Sequence, residues 1–342
     1  MLDDLKRIHQ VDKSDALGVA GKQLLQLTHD YHVTLERSEP ILNVVVGGMG
    51  GSAWPALMLR SWPTVRVPCE VSSNYEVPAY VNKSTLYIAS SYSGNTEEIL
   101  SALGQAEERG AQIVVMAAGG KLAAIAQQNN YPLYEIPGGI QPRMSSFYFL
   151  AALIQILEPL GLIKANSLGE LQQASEWLNG KNSDWLPEVK TTNNLAKQLA
   201  EHIEGKIAII YSGPLLFPAA NMWKICINES AKNLAWANQF PELSHNEFIG
   251  WSSHPIEKPF AVLDIRSNLE HPRIKKRFEL TDKLLSGKRP HAISVEAEGE
   301  TILQQILWCF SLGNYVSMYL AVLNNVDPTP VDLVEKFKKE LG

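Results

Sequence analysis

Residues 41–53 read Ile-Leu-Asn-Val-Val-Val-Gly-Gly-Met-Gly-Gly-Ser-Ala: an apolar, β-branched run that breaks into four glycines and a serine before a helical stretch. Such a run, bounded by glycine, reads as a buried parallel strand whose end lets backbone approach an anion. Gly48-Met49-Gly50-Gly51-Ser52-Ala53 fits GxGxxA, and Glu70 lies about where a ribose-binding acid would stand, so a dinucleotide is one candidate ligand. A P-loop is excluded, because no Gly-Lys-Ser/Thr follows. The single phosphate of a small metabolite, or a tight turn with no ligand, are the other readings.

Outward from this stretch the chain alternates strand and helix patterns. Strands are predicted near 42–46, 66–71, 85–89, 112–116 and 133–136, with helices near 53–61, 96–109, 120–128 and 144–158. A helical pair near 15–37 precedes them, and the polar stretch 164–190 reads as a helical connector. A second round follows, with strands near 207–211, 260–266 and 291–296 and helices near 217–234, 272–285 and 301–324. The rhythm predicts an α/β protein of two doubly wound parallel-sheet subdomains with flanking helices. We expect an N-terminal subdomain over 1–160, a connector over 161–195 and a C-terminal subdomain with a helical tail over 196–342. Ligands of such sheets sit beyond the carboxyl ends of the strands.

The 342 residues can bury two ordinary cores, and 45% apolar with 19% charged residues belong to a globular chain. A formal charge of −6 offers no general attraction to nucleic acid or an anionic membrane, so local donors must hold any anion. Cys69, Cys226 and Cys309 are odd in number, with no CxxC, which fits core thiols in a reducing cytoplasm. The start, MLDDLKRIHQ, has no apolar signal region. No charge occurs between Glu300 and Asp327, a length that could span a bilayer. Gln304, Gln305, Asn314 and Ser317 interrupt it and both flanks are acidic, so a buried core or interface helix is expected.

The next strand end favours a phosphate. After Leu86-Tyr87-Ile88-Ala89 comes Ser90-Ser91-Tyr92-Ser93-Gly94-Asn95-Thr96-Glu97-Glu98, placing the hydroxyls of Ser91, Ser93 and Thr96 around a glycine turn at a helix start. Free N–H groups and the helix dipole there favour negative charge, and hydroxyl donors suit a monophosphate that must leave again. One such hydroxyl would be ordinary helix capping; three beside a second Gly-Ser loop are more than capping needs.

Other residues could do chemistry. Arg143, in Gly138-Gly139-Ile140-Gln141-Pro142-Arg143, could steady developing negative charge or sit in a surface ion pair. Glu229, inside the apolar run from Trp223 to Trp236, either pairs with a neighbour such as Lys232 or works as a base. His245-Asn246-Glu247 has the HxE of zinc deaminases but no PCxxC follows, and no other His or Cys spacing suits a metal. Lys336 and Lys338 lie in a short terminal helix after Asp327-Pro328-Thr329-Pro330, where lysines ordinarily form a solvated face.

Together GGMGGSA, SSYSGNTEE, the GIQPR loop, NES followed by PELSHNE, and DPTPVDLVEKFK resemble, in order and over nearly the whole chain, the bifunctional phosphoglucose/phosphomannose isomerase family, built from two sugar-isomerase (SIS) subdomains. The resemblance implies phosphate held by Ser52, Ser91, Ser93 and Thr96, with the glycine amides of Gly47, Gly48 and Gly51. It implies Arg143 at the reacting carbons, Glu229 as the isomerisation base, and His245 with Lys336 opening the sugar ring. Thr329 would line the end of the site. It implies interconversion of glucose 6-phosphate, and also mannose 6-phosphate, with fructose 6-phosphate through a cis-enediol(ate), with no metal and no cofactor. It also implies a cytoplasmic homodimer in which His245 reaches the partner's Glu229, for which the 301–326 helix and Trp251 offer surface to bury. Ala53-Trp54 stands where the family often has smaller residues, which bears on the site entrance. Two competitors are a dinucleotide-dependent oxidoreductase and a sugar-phosphate sensor without catalysis. The first leaves the Ser/Thr loop without a purpose, and the short acidic start leaves no room for the second's DNA-binding helices. A sugar synthase would need a glutaminase domain, and Leu2 supplies no N-terminal cysteine.

Overall fold

The computed structural model describes residues 1–35, 39–253 and 259–341. The chain divides into two compact units, one formed by Lys22–Glu176 and the other by Met1–Gly21 with Trp177–Gly342. The expected partition at 160 and 196 therefore needs correcting. Residues 1–21 belong with the C-terminal unit, and the connector helix Ser167–Asn182 is shared out between the two. Polar anchors explain why the start goes there. Asp3 accepts from the amide and hydroxyl of Thr191 at 2.7 and 2.9 Å, and Arg7 Nη2 donates to Asn325 Oδ1 at 2.7 Å. Leu2 and Ile8 are buried, and Asn182 Nδ2 donates to the Gly21 carbonyl at 3.0 Å.

The unit of residues 22–176 holds five parallel strands: β1 Asn43–Gly48, β2 Cys69–Ser72, β3 Thr85–Ser91, β4 Gln112–Ala117 and β5 Leu133–Glu135, in the order β2-β1-β3-β4-β5. Apolar runs without alternation make these strands, because helices cover both faces. Val45, Tyr87, Ala89, Ile113 and Val115 face a core with Ile99, Leu103 and Leu122 from helices Glu97–Glu108 and Gly120–Asn129. Side chains alternate along a strand, so Val44, Val46, Leu86 and Ile88 face the opposite side, where helices Gly50–Met58 and Ser146–Leu157 pack on each other. The helical pair expected near 15–37 is displaced. The helices are Leu5–Val11 and Ala16–Lys22, followed by a 3-10 stretch Gln23–Thr28, with no regular element over 29–35; residues 36–38 lie outside the described ones.

The second unit repeats the winding with four parallel strands, β6 Ile207–Ser212, β7 Ala235–Gln239, β8 Phe260–Arg266 and β9 Ile293–Glu296, in the order β7-β6-β8-β9. One face carries Ile209, Tyr211 and Val262, which meet Ile274 and Phe278 of helix Pro272–Leu284. The long helix Ile302–Leu323 packs on helices Phe217–Ser230 and Leu195–Ile203. Trp223 Nε1 donates to the Cys309 carbonyl at 2.6 Å, and Gly313 makes room, since a Cβ there would lie 2.3 Å from the indole. This is the one described helix long and apolar enough to cross a membrane, and it is buried throughout that stretch. It and Trp251, 8% exposed, lie in the unit's own core, which is the first of the two readings, buried core or interface, that the sequence offers. Strand β7 was not foreseen; the predicted helix 217–234 ends at Ser230.

Candidate functional site

In both sheets the chain leaves the first strand for one neighbour and returns to the other, which opens a crevice between those strands' carboxyl ends. In the first sheet Gly48 pairs with Ser90, so the two glycine turns leave adjacent strands at one level. The Tyr92 amide donates to Ser52 Oγ at 3.2 Å and Ser90 Oγ donates to the Ser52 carbonyl at 2.8 Å, tying one turn to the other. Ser91 Oγ and Thr96 Oγ1 are 2.6 Å apart, and Ser91 Oγ accepts the Gly94 amide at 3.2 Å. Ser93 Oγ accepts the Asn95 amide at 3.2 Å. The hydroxyls of Ser52, Ser91, Ser93 and Thr96 thus accept or exchange protein hydrogen bonds within and between the two turns.

Thr96 occupies the cap position of helix Glu97–Glu108, yet its side chain makes no cap bond. Ordinary capping therefore does not account for this threonine. Gly94 has φ +66°, and a Cβ there would lie 1.8 Å from the Gly119 carbonyl, so no other residue allows this turn to pack on its neighbour.

Arg143, 3% exposed, lies in the 3-10 turn Pro142–Ser145, with Nη1 3.5 Å from Gln141 Oε1. It is therefore not a surface residue. Gly51 joins this turn to the glycine loop: a Cβ on it would stand 3.1 Å from Arg143 Cα and from the Pro142 carbonyl. Sequence reading missed the supports of this turn. Gln23 and Gln26 both donate to the Met144 carbonyl, at 3.0 and 2.8 Å, and the Ile140 amide donates to the Tyr92 hydroxyl at 3.1 Å. Gln23 and Gln26 are nearly sealed from solvent, a cost that only hydrogen bonding offsets. Trp54, thought to bear on the entrance, is wholly buried and packs on Phe147 with ring centroids 6.0 Å apart. It is a core residue.

In the second unit, Glu229 is half-buried near the end of helix Phe217–Ser230. Lys232, at φ +51°, turns its ammonium to the carbonyls of Ser230 (3.1 Å) and Asp327 (2.5 Å). Asp327 Oδ1 accepts the Thr329 amide at 2.9 Å, and Asn324 Nδ2 donates to the Ala231 carbonyl at 3.0 Å. These bonds bring the chain around Glu229 together with that around Thr329, a hundred residues on. His245 ends the 3-10 turn Glu242–His245 and is exposed, and Lys336 stands exposed on helix Asp332–Leu341. Neither is drawn into that hydrogen-bonded cluster. Glu247, the acid of the His-Asn-Glu triplet, is committed to the Tyr211 hydroxyl and to Asn238 Nδ2 at 2.6 Å. Among the described residues no group of three His, Cys, Asp or Glu could hold a metal ion. Glu70 lies exposed on the edge strand β2, and its carboxylate accepts from the Tyr80 hydroxyl at 2.6 Å. The ribose-binding role that GxGxxA called for is thereby weakened.

Comparison with known proteins agrees with this architecture. Residues 192–341 match the family described as the bacterial phospho-glucose isomerase C-terminal SIS domain. A bifunctional phosphoglucose/phosphomannose isomerase of Caldicellulosiruptor bescii is 36% identical, over 90% of this chain and 91% of its own. A D-glucosamine-6-phosphate 4-epimerase of Sulfolobus acidocaldarius is 32% identical, over 85% of this chain and 87% of its own. Among solved structures, a glucose-6-phosphate isomerase like protein from Thermus thermophilus has TM-score 0.64 at 19% identity, covering 97% of this chain and 99% of its own, which shows a shared fold. With two parallel sheets of SIS type, the motifs in order and this degree of identity along the chain, the protein belongs to the bifunctional phosphoglucose/phosphomannose isomerase family.

Proposed function

We propose that the chain interconverts glucose 6-phosphate, and also mannose 6-phosphate, with fructose 6-phosphate. The observation that supports this reading is the pair of glycine turns leaving β1 and β3 side by side, with Ser91 Oγ 2.6 Å from Thr96 Oγ1, Ser52 Oγ bonded to the Tyr92 amide and Gly51 packed against the Arg143 turn. The hydroxyls of Ser52, Ser91, Ser93 and Thr96, with the amides around Gly47, Gly48 and Gly51, grip the phosphate. That remote handle supplies binding energy that positions the carbons. His245 and Lys336 open the ring, one proton leaving the anomeric hydroxyl as another reaches the ring oxygen. Glu229 takes the proton from C2 of the open aldose and returns it to C1 while a second proton passes from O2 to O1. Arg143 steadies the enediolate that forms between these steps. Thr329 borders the sugar where glucose and mannose configurations converge on one enediol. The reaction needs no metal and no cofactor.

The enzyme works as a cytoplasmic homodimer in this reading, with His245 serving the partner's Glu229. Leu234, Trp236 and Ile249, which are 61, 51 and 72% exposed, flank His245 in sequence and offer the apolar surface that the buried helix Ile302–Leu323 does not. The Sulfolobus relative favours a second reading, in which the same phosphate crevice holds glucosamine 6-phosphate for epimerisation at C4. Coupled assays of glucose, mannose and glucosamine 6-phosphates decide between them. Formation of fructose 6-phosphate from the first two is expected. Turnover of glucosamine 6-phosphate alone would replace this reading by the second.

A further inference from the structure

The second sheet has the same crevice as the first, between β6 and β8, and it holds a carboxylate of the chain itself. Leu215, just ahead of helix Phe217–Ser230, donates its amide to Glu270 Oε1 at 2.8 Å. Glu270 comes from the turn after β8 and is 5% exposed. A Cβ on Gly213, in the turn after β6, would lie 2.2 Å from the same oxygen, so glycine there admits the carboxylate. The His271 amide adds a second backbone bond, and burial still pushes the Glu270 carboxyl above its ordinary range. The turn is fastened from behind. Ser267 Oγ donates to Gln305 Oε1 at 2.5 Å, and Gln305 Nε2 donates to Asn268 Oδ1 at 2.6 Å. Gln305 was noted only as a polar interruption of an apolar helix; here it pins the turn that presents Glu270.

We infer that Glu270 is the resident anion of the second crevice, standing where the first crevice takes a ligand's phosphate. By holding Leu215, two residues before helix Phe217–Ser230, it is also a positioning residue for Glu229 near that helix's other end. The place of Glu270 in the second crevice rests on geometry, whereas the parallel with a bound phosphate and the positioning role rest on the isomerase reading.

The test compares wild type with Glu270→Ala, Glu270→Gln and Gly213→Ala, in sodium acetate and in sodium chloride of equal ionic strength. Melting temperature and fructose 6-phosphate kinetics are read together. Glu270→Ala is expected to melt about 4–10 °C lower. Its kcat should fall by a larger factor than its KM rises, and acetate, not chloride, should recover at least half of the melting loss. Gly213→Ala should reproduce the loss by expelling the carboxylate, and its effect should not add to that of Glu270→Ala in the double variant. If Glu270→Ala does not fold, Glu270→Gln and Gly213→Ala decide. Equal action of acetate and chloride on Glu270→Ala, or wild-type melting of Glu270→Gln, overturns the resident anion. An unchanged kcat in the destabilised variants overturns the positioning role. A wild type without isomerase activity would refute the functional reading instead, and the melting data would still judge the anion.

Discussion

Replacing Gly51 with alanine tests whether the glycine loop sets the place of Arg143. The new Cβ would stand 3.0 Å from Ser146 Oγ and 3.1 Å from both Arg143 Cα and the Pro142 carbonyl, where ordinary contacts begin near 3.4 Å. Ser146 can rotate, but the other two atoms are backbone, so the arginine turn must retreat by a few tenths of an ångström. Overpacking of this size costs about 1–3 kcal/mol of stability. The guanidinium moves with its backbone, and a hydrogen bond to an enediolate exists only on the way to the transition state. A loss of about 1–1.5 kcal/mol there lowers kcat roughly tenfold. Alanine keeps the Gly51 amide, and the proposed phosphate donors Ser91, Ser93 and Thr96 lie on the neighbouring turn, so KM for fructose 6-phosphate should rise by a smaller factor than kcat falls. Steady-state kinetics on purified Gly51→Ala, beside the thermal shift produced by inorganic phosphate, give both numbers. A raised KM with unchanged kcat would mean that Gly51 serves the phosphate alone, and the positioning argument would fail.

Changing Ser93 and Thr96 together to alanine should raise KM with little change in kcat, by about 1 kcal/mol or more per lost bond to a charged group; an unchanged KM would take this turn out of the site. Glu229→Gln should lower kcat by about two to four orders of magnitude while phosphate still raises the melting temperature, and near-normal solvent-deuterium exchange at C2 would assign the proton transfer elsewhere. Mixing inactive Glu229→Gln and His245→Ala subunits should return roughly a quarter of normal activity, because a mixed dimer has one site with both lesions and one with neither. No recovery after proven subunit exchange would place His245 in its own subunit's site. Trp54→Ala should cost about 3–5 kcal/mol in denaturant unfolding, as for other buried aromatics, and a loss under 1 kcal/mol would contradict its core placement.

The parts legible in the sequence were those encoded over short distances. Strands β1, β3, β4, β6 and β8 are apolar runs ended by glycine, serine or polar turns, and their burial follows from composition alone. Ser91 and Thr96 fall within six residues, so bringing their hydroxyls to 2.6 Å required only one turn. Strand β7 was hidden because Ala-Lys-Asn-Leu-Ala-Trp continues an apolar helical pattern. The break depends on Lys232 adopting φ +51° and on the Ala235 amide bonding back to Asn228 Oδ1 at 2.9 Å. Trp54 could not be placed from local sequence, since the helix that buries it begins more than ninety residues later. The tie of Lys232 to Asp327 and the pairing of Glu270 with Leu215 likewise depend on tertiary contacts that no periodicity records.

The split of the chain has a consequence for its synthesis. Residues 22–176 form a continuous unit and emerge from the ribosome as one piece, able to fold at once. The first 21 residues are made earlier but belong to a unit finished only by the last 166. At about 5–20 residues per second, helix Leu5–Val11 waits roughly 6–30 s after the first unit is complete for helix Ile302–Leu323, on which it packs. For that interval the nascent chain trails an unpaired apolar segment. The two units are thus completed in an order opposite to the one in which their first residues are translated.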